Sequence, residues 1–170
     1  MPLHVTESQP DYDEVRTAAR VILIDPDDRI LLLAARDPAD DRIVWFVPGG
    51  GVEAGETLEQ AAVRELTEEV PQAATVTLVG PVWTRHHDFG WAGRRISQTE
   101  WFFVGRMPAA LDPAEIHLTG YEERFFAGAR WATISELADW PALLAPRRLA
   151  ELLIPVLAGE LPPEPIDTGV

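Results

Sequence analysis

The chain has 170 residues, 46% hydrophobic and 25% charged, which suits one globular domain with a sizeable core. Its formal net charge of −14 argues against a nucleic-acid or anionic-membrane partner, since both need a positive face. The absence of cysteine excludes a disulfide, a thiolate nucleophile and a Cys-based zinc site, and with no bilayer-length apolar run or signal peptide the expected location is cytoplasmic.

Residues 1–16 are polar and acidic and are expected to form a flexible N-terminal arm. Residues 17–24 then read as a strand, Asp25-Pro26-Asp27-Asp28-Arg29 as a turn, and 30–34 as the returning strand of a hairpin. That acidic turn lacks the glycine and the spaced glutamate of a calcium loop. A surface connection over 36–41 leads to a short strand at 44–47 and into Gly49-Gly50-Gly51, where backbone can approach a ligand closely.

A helix follows. Thr57 is its expected N-cap, with Gln60 completing a capping box, and Leu58, Ala62 and Leu66 recur at helical spacing. It should end at Val70, because Pro71 disfavours the helical conformation of the residue before it. Glu65, Glu68 and Glu69 stand at i, i+3 and i+4, so they share one face beside the apolar stripe, with Ala61 one turn earlier leaving room for something bulky. Clustered carboxylates are relieved by a hard divalent cation, for which Mg²⁺ is the first choice and Mn²⁺ a substitute.

Beyond Pro71, residues 75–79 and 82–86 read as strand material interrupted by Gly80-Pro81. His86 to Arg95 looks like a long hairpin tip whose His87, Trp91, Arg94 and Arg95, with Arg85 just before it, are suited to stack a base and hold phosphates. Residues 96–106 form the clearest strand, in which Glu100 is a carboxylate among aromatics that needs a cation or an Arg beside it. A loop over 107–120, an acidic segment over 121–126, a short strand at 130–132, a helix start at 135–137 and a last helix from Pro146 to Leu157 complete the domain. The Pro-rich tail 159–170 is expected to be mobile or docked in extended form.

Taken in order, Gly50, Glu56 and Arg64-Glu65-Leu66-Thr67-Glu68-Glu69, with Pro48-Gly49-Gly50-Gly51 and Glu53-Ala54-Gly55-Glu56, resemble the Nudix box of the Nudix hydrolases. The box departs from the pattern at Pro71 and Gln72, where Gly and an apolar residue are usual, so the helix exit must be built differently. The resemblance implies a single-domain α/β fold, an α/β/α sandwich with a mixed sheet over residues 17–158, the box helix on one side and the C-terminal helix on the other. It implies Glu65, Glu68 and Glu69 as metal ligands, the Gly49 carbonyl as a further one, and Glu56 reaching the metal directly or through water. Arg64 is expected to orient a carboxylate. The general base stays open between Glu65 and Glu100, the latter as a candidate extra carboxylate outside the box, with Glu122 and Glu123 behind it.

The implied activity is Mg²⁺-dependent hydrolysis of a diphosphate linkage in a nucleoside diphosphate joined to another moiety. The implied partner is a small nucleotide-type molecule, and many relatives pair as homodimers. Two other readings compete. One is a nucleotide-sensing module without turnover, against which the intact carboxylates argue. The other is isoprenoid-type diphosphate isomerisation, which in its best-known members relies on a cysteine that this chain lacks.

Overall fold

The computed structural model describes residues 11–116, 118 and 122–169, the side chain of Glu122 excepted. The first ten residues of the expected arm, Tyr121 and the Glu122 carboxylate therefore lie outside what is described. The elements in order are β1 (Glu14–Ile24), β2 (Ile30–Arg36), β3 (Ile43–Phe46), β4 (Gly49–Gly51), α1 (Leu58–Glu69), β5 (Leu78–Trp91), β6 (Arg94–Arg106), β7 (Phe126–Ala132), α2 (Ile134–Ala138), β8 (Leu143–Ala145), α3 (Leu149–Leu157) and β9 (Ile166–Asp167).

The strands form one mixed sheet in the order β8-β3-β2-β1-β6-β5-β9, with β4 on β1 and β7 on β2. β1 and β2 pair only at Ile24↔Ile30, beside the turn that joins them. Past that point the two strands diverge. β4 fills the fork by pairing with β1 at Ala18↔Gly51, Ala19↔Gly50 and Arg20↔Gly49, so the triple glycine becomes part of the sheet. Strand alternation sorts the apolar residues to two faces. Ala19, Val21, Leu23, Leu31, Leu33 and Phe103 pack against Ala61, Ala62 and Leu66 of α1. Ile22, Ile24, Ile30, Leu32, Phe102 and Val104 pack against Leu137 of α2 and Leu149, Leu153 and Val156 of α3. This is the expected α/β/α sandwich.

Several expectations need correction. The first strand begins at Glu14, so the arm gives up its last residues to the sheet, where they pair in parallel with β6. The long tip at 86–95 is instead continuous ladder down to Trp91↔Arg94, closed by the two residues Ala92 (φ 51) and Gly93 (φ 76). Positive φ at both central residues is the hairpin turn whose twist matches its strands. Gly80-Pro81 does not split β5 either, because a register shift between Val79 and Trp83 accommodates it near the sheet edge. Ala61 is fully buried in the core beneath α1, so it leaves no open space for a ligand. The last helix starts at Leu149 and not Pro146, after a turn in which the Leu149 N–H bonds the Pro146 carbonyl. The tail is docked: β9 pairs in parallel with β5, and the buried Thr168 gives its N–H to the Thr84 carbonyl at 3.0 Å.

Candidate active site

The capping box forms as the sequence predicts, the Gln60 N–H bonding Thr57 Oγ1 at 3.1 Å and the Thr57 N–H bonding Gln60 Oε1 at 2.9 Å. It fixes where α1 starts and hence which way Arg64 and Glu65 project. Arg64 reaches back over the loop. Its Nε and Nη2 hold the two oxygens of Glu56 at 2.6 and 2.9 Å, Nη2 also bonds the Gly51 carbonyl at 2.9 Å, and Nη1 bonds Glu65 Oε1 at 2.7 Å. One planar fork thus ties loop, β4 and helix together, a geometry that a lysine could not supply. The same bonds push Glu56 down to about 2, with the Glu53 N–H adding to the effect, and Glu56 chiefly pushes the Arg64 guanidinium upward. Glu56 is held by Arg64 and does not stand with the helix carboxylates.

Of the three helix carboxylates, Glu65 and Glu69 are buried at 7% and 3% exposure and Glu68 points outward. The shared face predicted for them is therefore split by burial. Glu65 lies directly over Gly50: a Cβ there would sit 2.5–2.7 Å from the carboxylate atoms, so only glycine leaves the acid in place. Glu69 accepts the Gly49 N–H at 2.8 Å. The departure at Pro71 is resolved by Val70, which closes α1 with its N–H on the Leu66 carbonyl before a 3₁₀ turn over Pro71–Ala73, and this keeps Glu69 on the last turn of the helix. Among the described residues no three His, Asp or Glu side chains converge at metal-binding distance. Arg64 and the Gly49 N–H hold oxygens that a cation would otherwise draw together.

On the opposite sheet face the structure assembles a buried polar set that the sequence revealed only in part. Glu100 is 3% exposed. Its Oε1 accepts from Arg20 Nε and Gln98 Nε2, both at 2.8 Å, and its Oε2 accepts from Arg85 Nε at 2.9 Å with Arg85 Nη2 at 2.7 Å. Burial alone would push the Glu100 pKa up, but Arg20 and Arg85 outweigh it and hold the carboxyl below its usual range. Glu100 is thus an arginine-bound anion on the far face from α1, and the structure does not bring it to the box carboxylates. Arg85 Nη2 also meets His87 Nε2 at 3.0 Å, so that nitrogen is the acceptor; burial and then Arg85 push His87 down to about 4, which leaves the ring neutral. Arg16 bonds Gln98 Oε1, and Arg20 bonds the Gly49 carbonyl at 3.0 Å while lying 5.2 Å over the Phe46 ring.

Arg16, Arg20 and Gln98 were not among the predicted residues. Their signal was present: Arg20 occupies the alternation of Ile22 and Ile24, so its charge falls on an inward face. The remaining predicted substrate contacts are spoken for by the chain itself. Arg94 pairs with Glu14 at 3.1 Å; Arg95 lies 5.4 Å over the ring of Tyr12, which bonds Asp88, and gives its N–H to Asp13. Trp91 stands edge-on to Phe125 at 5.8 Å, and the hairpin end is anchored by Arg42 on the Gly90 carbonyl and by Asp37 on the Ala92 N–H. Of the predicted set, Arg85 and His87 alone join the buried network around Glu100.

Comparison with known proteins bears on these residues as a whole. A family profile described as NUDIX domain matches residues 14–153. An RNA pyrophosphohydrolase of Caulobacter vibrioides is 30% identical over 164 residues, covering 88% of this chain and 89% of its own. Among solved structures, the dihydroneopterin triphosphate pyrophosphohydrolase of E. coli is 25% identical with a TM-score of 0.57, covering 81% of this chain and 94% of its own. A MutT protein of Methanosarcina mazei shares the fold at 18% identity and a TM-score of 0.57, covering 82% of this chain and 92% of its own. With a profile match across most of its length and the loop-to-helix arrangement in place, the chain belongs to the Nudix hydrolase family, as a pyrophosphohydrolase.

Proposed function

We propose that the protein is a Mg²⁺-dependent hydrolase of a diphosphate linkage in a nucleoside diphosphate joined to another moiety. The observation that carries this is the Arg64 fork, which holds Glu65 against Gly50 at the mouth of the β4 loop while Glu69 is tied to the neighbouring Gly49. The donor set fits a hard cation, since Glu65, Glu68, Glu69 and the Gly49 carbonyl offer only oxygen and two of the acids are already buried beside the loop. These residues would hold the ion, with Glu56 acting on them through Arg64. When bound, the ion supplies charge neutralisation on the phosphate oxygens and a lowered pKa for water.

The chain's own groups account for the rest. Glu65 takes a proton from water as the water oxygen bonds to one phosphorus, and the bridging P–O bond breaks with its electron pair leaving on the departing phosphate. Arg64 fixes the Glu65 carboxylate for that transfer, and Glu100, whose oxygens are taken by Arg20, Arg85 and Gln98, is not the base. The net charge of −14 and the pairing of Arg94 with Glu14 favour a small substrate over the long anionic RNA that the Caulobacter protein's name specifies.

The test is a screen of ADP-ribose, nucleotide sugars, dinucleoside polyphosphates, damaged nucleoside triphosphates and 5′-triphosphorylated RNA with Mg²⁺ or Mn²⁺, repeated on Glu68→Gln. Cleavage of at least one small compound, strongly reduced in the variant, is expected. Cleavage of RNA alone would overturn the substrate class, and tight binding without turnover with either metal would leave a sensing module.

A further inference from the structure

The buried set around Glu100 has one property that a substrate pocket or a catalytic base would not show. An ionised carboxylate offers about four acceptor positions. Here all are met from within the chain: Arg20 and Gln98 on Oε1, and the Nε and Nη2 of Arg85 on Oε2. At 3% exposure the group is also closed to solvent. Its partners are themselves located, Arg85 by the neutral His87 and Arg20 by the Phe46 ring beneath it.

The network reaches the box loop through Arg20. Arg20 spends Nε on Glu100 and Nη1 on the Gly49 carbonyl, and the Gly49 N–H is the group that Glu69 of α1 accepts. Gly49 sits at φ 141 and has no space for a side chain, since a Cβ would lie 2.1 Å from the Ala19 carbonyl oxygen. It is wedged against β1, so the Arg20 and Glu69 contacts meet on one residue with little room to shift.

We propose that Glu100 is a positioning residue: by fixing Arg20 it holds the Gly49 carbonyl, and so sets the peptide that receives Glu69 beside the loop where hydrolysis occurs. The inference rests on reading that loop as the hydrolytic site, but it has a readout that does not need turnover.

The experiment uses Glu100→Gln, Arg20→Lys and the pair together. Arg20→Lys keeps a cation beside Glu100 but has no fork to span both Glu100 and the Gly49 carbonyl. The first readout is the amide NMR spectrum of metal-free protein. The Gly49, Gly50 and Glu69 resonances should move in both single variants. The second is steady-state kinetics on a substrate found in the screen: kcat should fall by about tenfold or more with KM changed by less than about threefold, as displacement of positioned groups does. The acidic limb of the pH–rate profile should persist in Glu100→Gln, and the double variant should be no worse than the worse single one. Unmoved Gly49 resonances, or lower thermal stability with an unchanged kcat, would overturn the proposal. So would loss of the acidic limb in Glu100→Gln while Arg20→Lys stays near wild type, which would make Glu100 the base. If Glu100→Gln does not fold, Arg20→Lys decides by the same resonances, and if no substrate is found those resonances still decide.

Discussion

Gly50→Ala separates the chemistry of this site from its stability more cleanly than any carboxylate substitution. The added methyl would meet Glu65 Cδ, Oε2 and Oε1 at 2.5, 2.6 and 2.7 Å, so the carboxylate must retreat by roughly 0.8 Å to reach ordinary contact near 3.4 Å. What it meets is the far end of a side chain, held by Arg64 at 2.7 Å, and not backbone. Gly50 has no positive φ, so its backbone needs no glycine. The fold therefore loses about 1 kcal/mol, the cost of an off-rotamer glutamate, or a Tm shift of about 2–4 °C. Catalysis loses far more, because a displacement near 1 Å of a positioned group costs about 10²-fold in rate, about 2.7 kcal/mol of barrier. Initial rates on the best substrate, with thermal denaturation followed by circular dichroism, measure both. The neighbouring Gly49→Ala is the contrast: its Cβ collides with backbone at 2.1 Å on top of φ 141, so that variant should fail to fold. Retention of more than about half the wild-type rate in Gly50→Ala, or a collapse of stability along with rate, would refute the placement of Glu65.

Arg64→Lys should lower kcat more than it raises KM, because an ammonium cannot hold Glu56, Gly51 and Glu65 together; an unchanged kcat would discard the orienting role. On acidification two groups lower stability in sequence. His87, at about 4 in the fold against 6.5 unfolded, binds fewer protons when folded, so its contribution is complete above about 6.5 and is lost as pH falls toward 4. Glu56, at about 2 against 4.5, acts in the same direction over the window from 4.5 to 2. Thermal melts against pH should therefore flatten between 6.5 and 4 in His87→Gln and below 4.5 in Glu56→Gln, and unchanged slopes would contradict these environments. Deleting residues 159–170 should lower Tm by several degrees through loss of the β9 pairing, the Thr168 bonds and Leu161 packing, with kcat unchanged, as checked by melting and initial rates; a large fall in kcat would place the tail at the site.

The helix and its loop were legible because the signals are local. A capping box, an apolar stripe and a terminating proline each act within a few residues, and all appear where the sequence puts them. The packing of helices on both sheet faces came from the family resemblance and not from the strands' own pattern. What the sequence did not yield is pairing between charges far apart in the chain. Arg20 meets Glu100 across 80 positions and Arg94 meets Glu14 at 3.1 Å, and only the parallel register of β1 on β6 brings them together. The tip at 86–95 misled because an edge strand with one wet face carries polar residues at the density of a loop, so composition hid a ladder whose turn signal, Ala92-Gly93, is weaker than Asn-Gly.

That difference bears on how so acidic a chain can receive a phosphate. All 14 Lys and Arg positions are arginines, and those near the site and the hairpin divide by location. Arg64 and Arg94 are matched to nearby acids and Arg95 lies over the Tyr12 ring, whereas Arg20 and Arg85 share the buried carboxylate Glu100, with His87 neutral beside them and Arg16, paired with Glu14, reaching the network through Gln98. The positive charge of Arg20 and Arg85 in excess of Glu100 is thus concentrated on the sheet face behind β4, where burial weakens screening by salt, with Arg16 at its exposed rim. A surface that repels anions generally, with a local positive field from this closed network behind the loop, would admit a compact diphosphate more readily than a long polyanion. The rate constant kcat/KM for a small substrate should accordingly depend weakly on ionic strength, and Arg16→Gln, which removes a cation from that patch without touching the box, should raise KM more than it lowers kcat. A steep fall in kcat/KM with added salt would locate the attraction on exposed arginines instead.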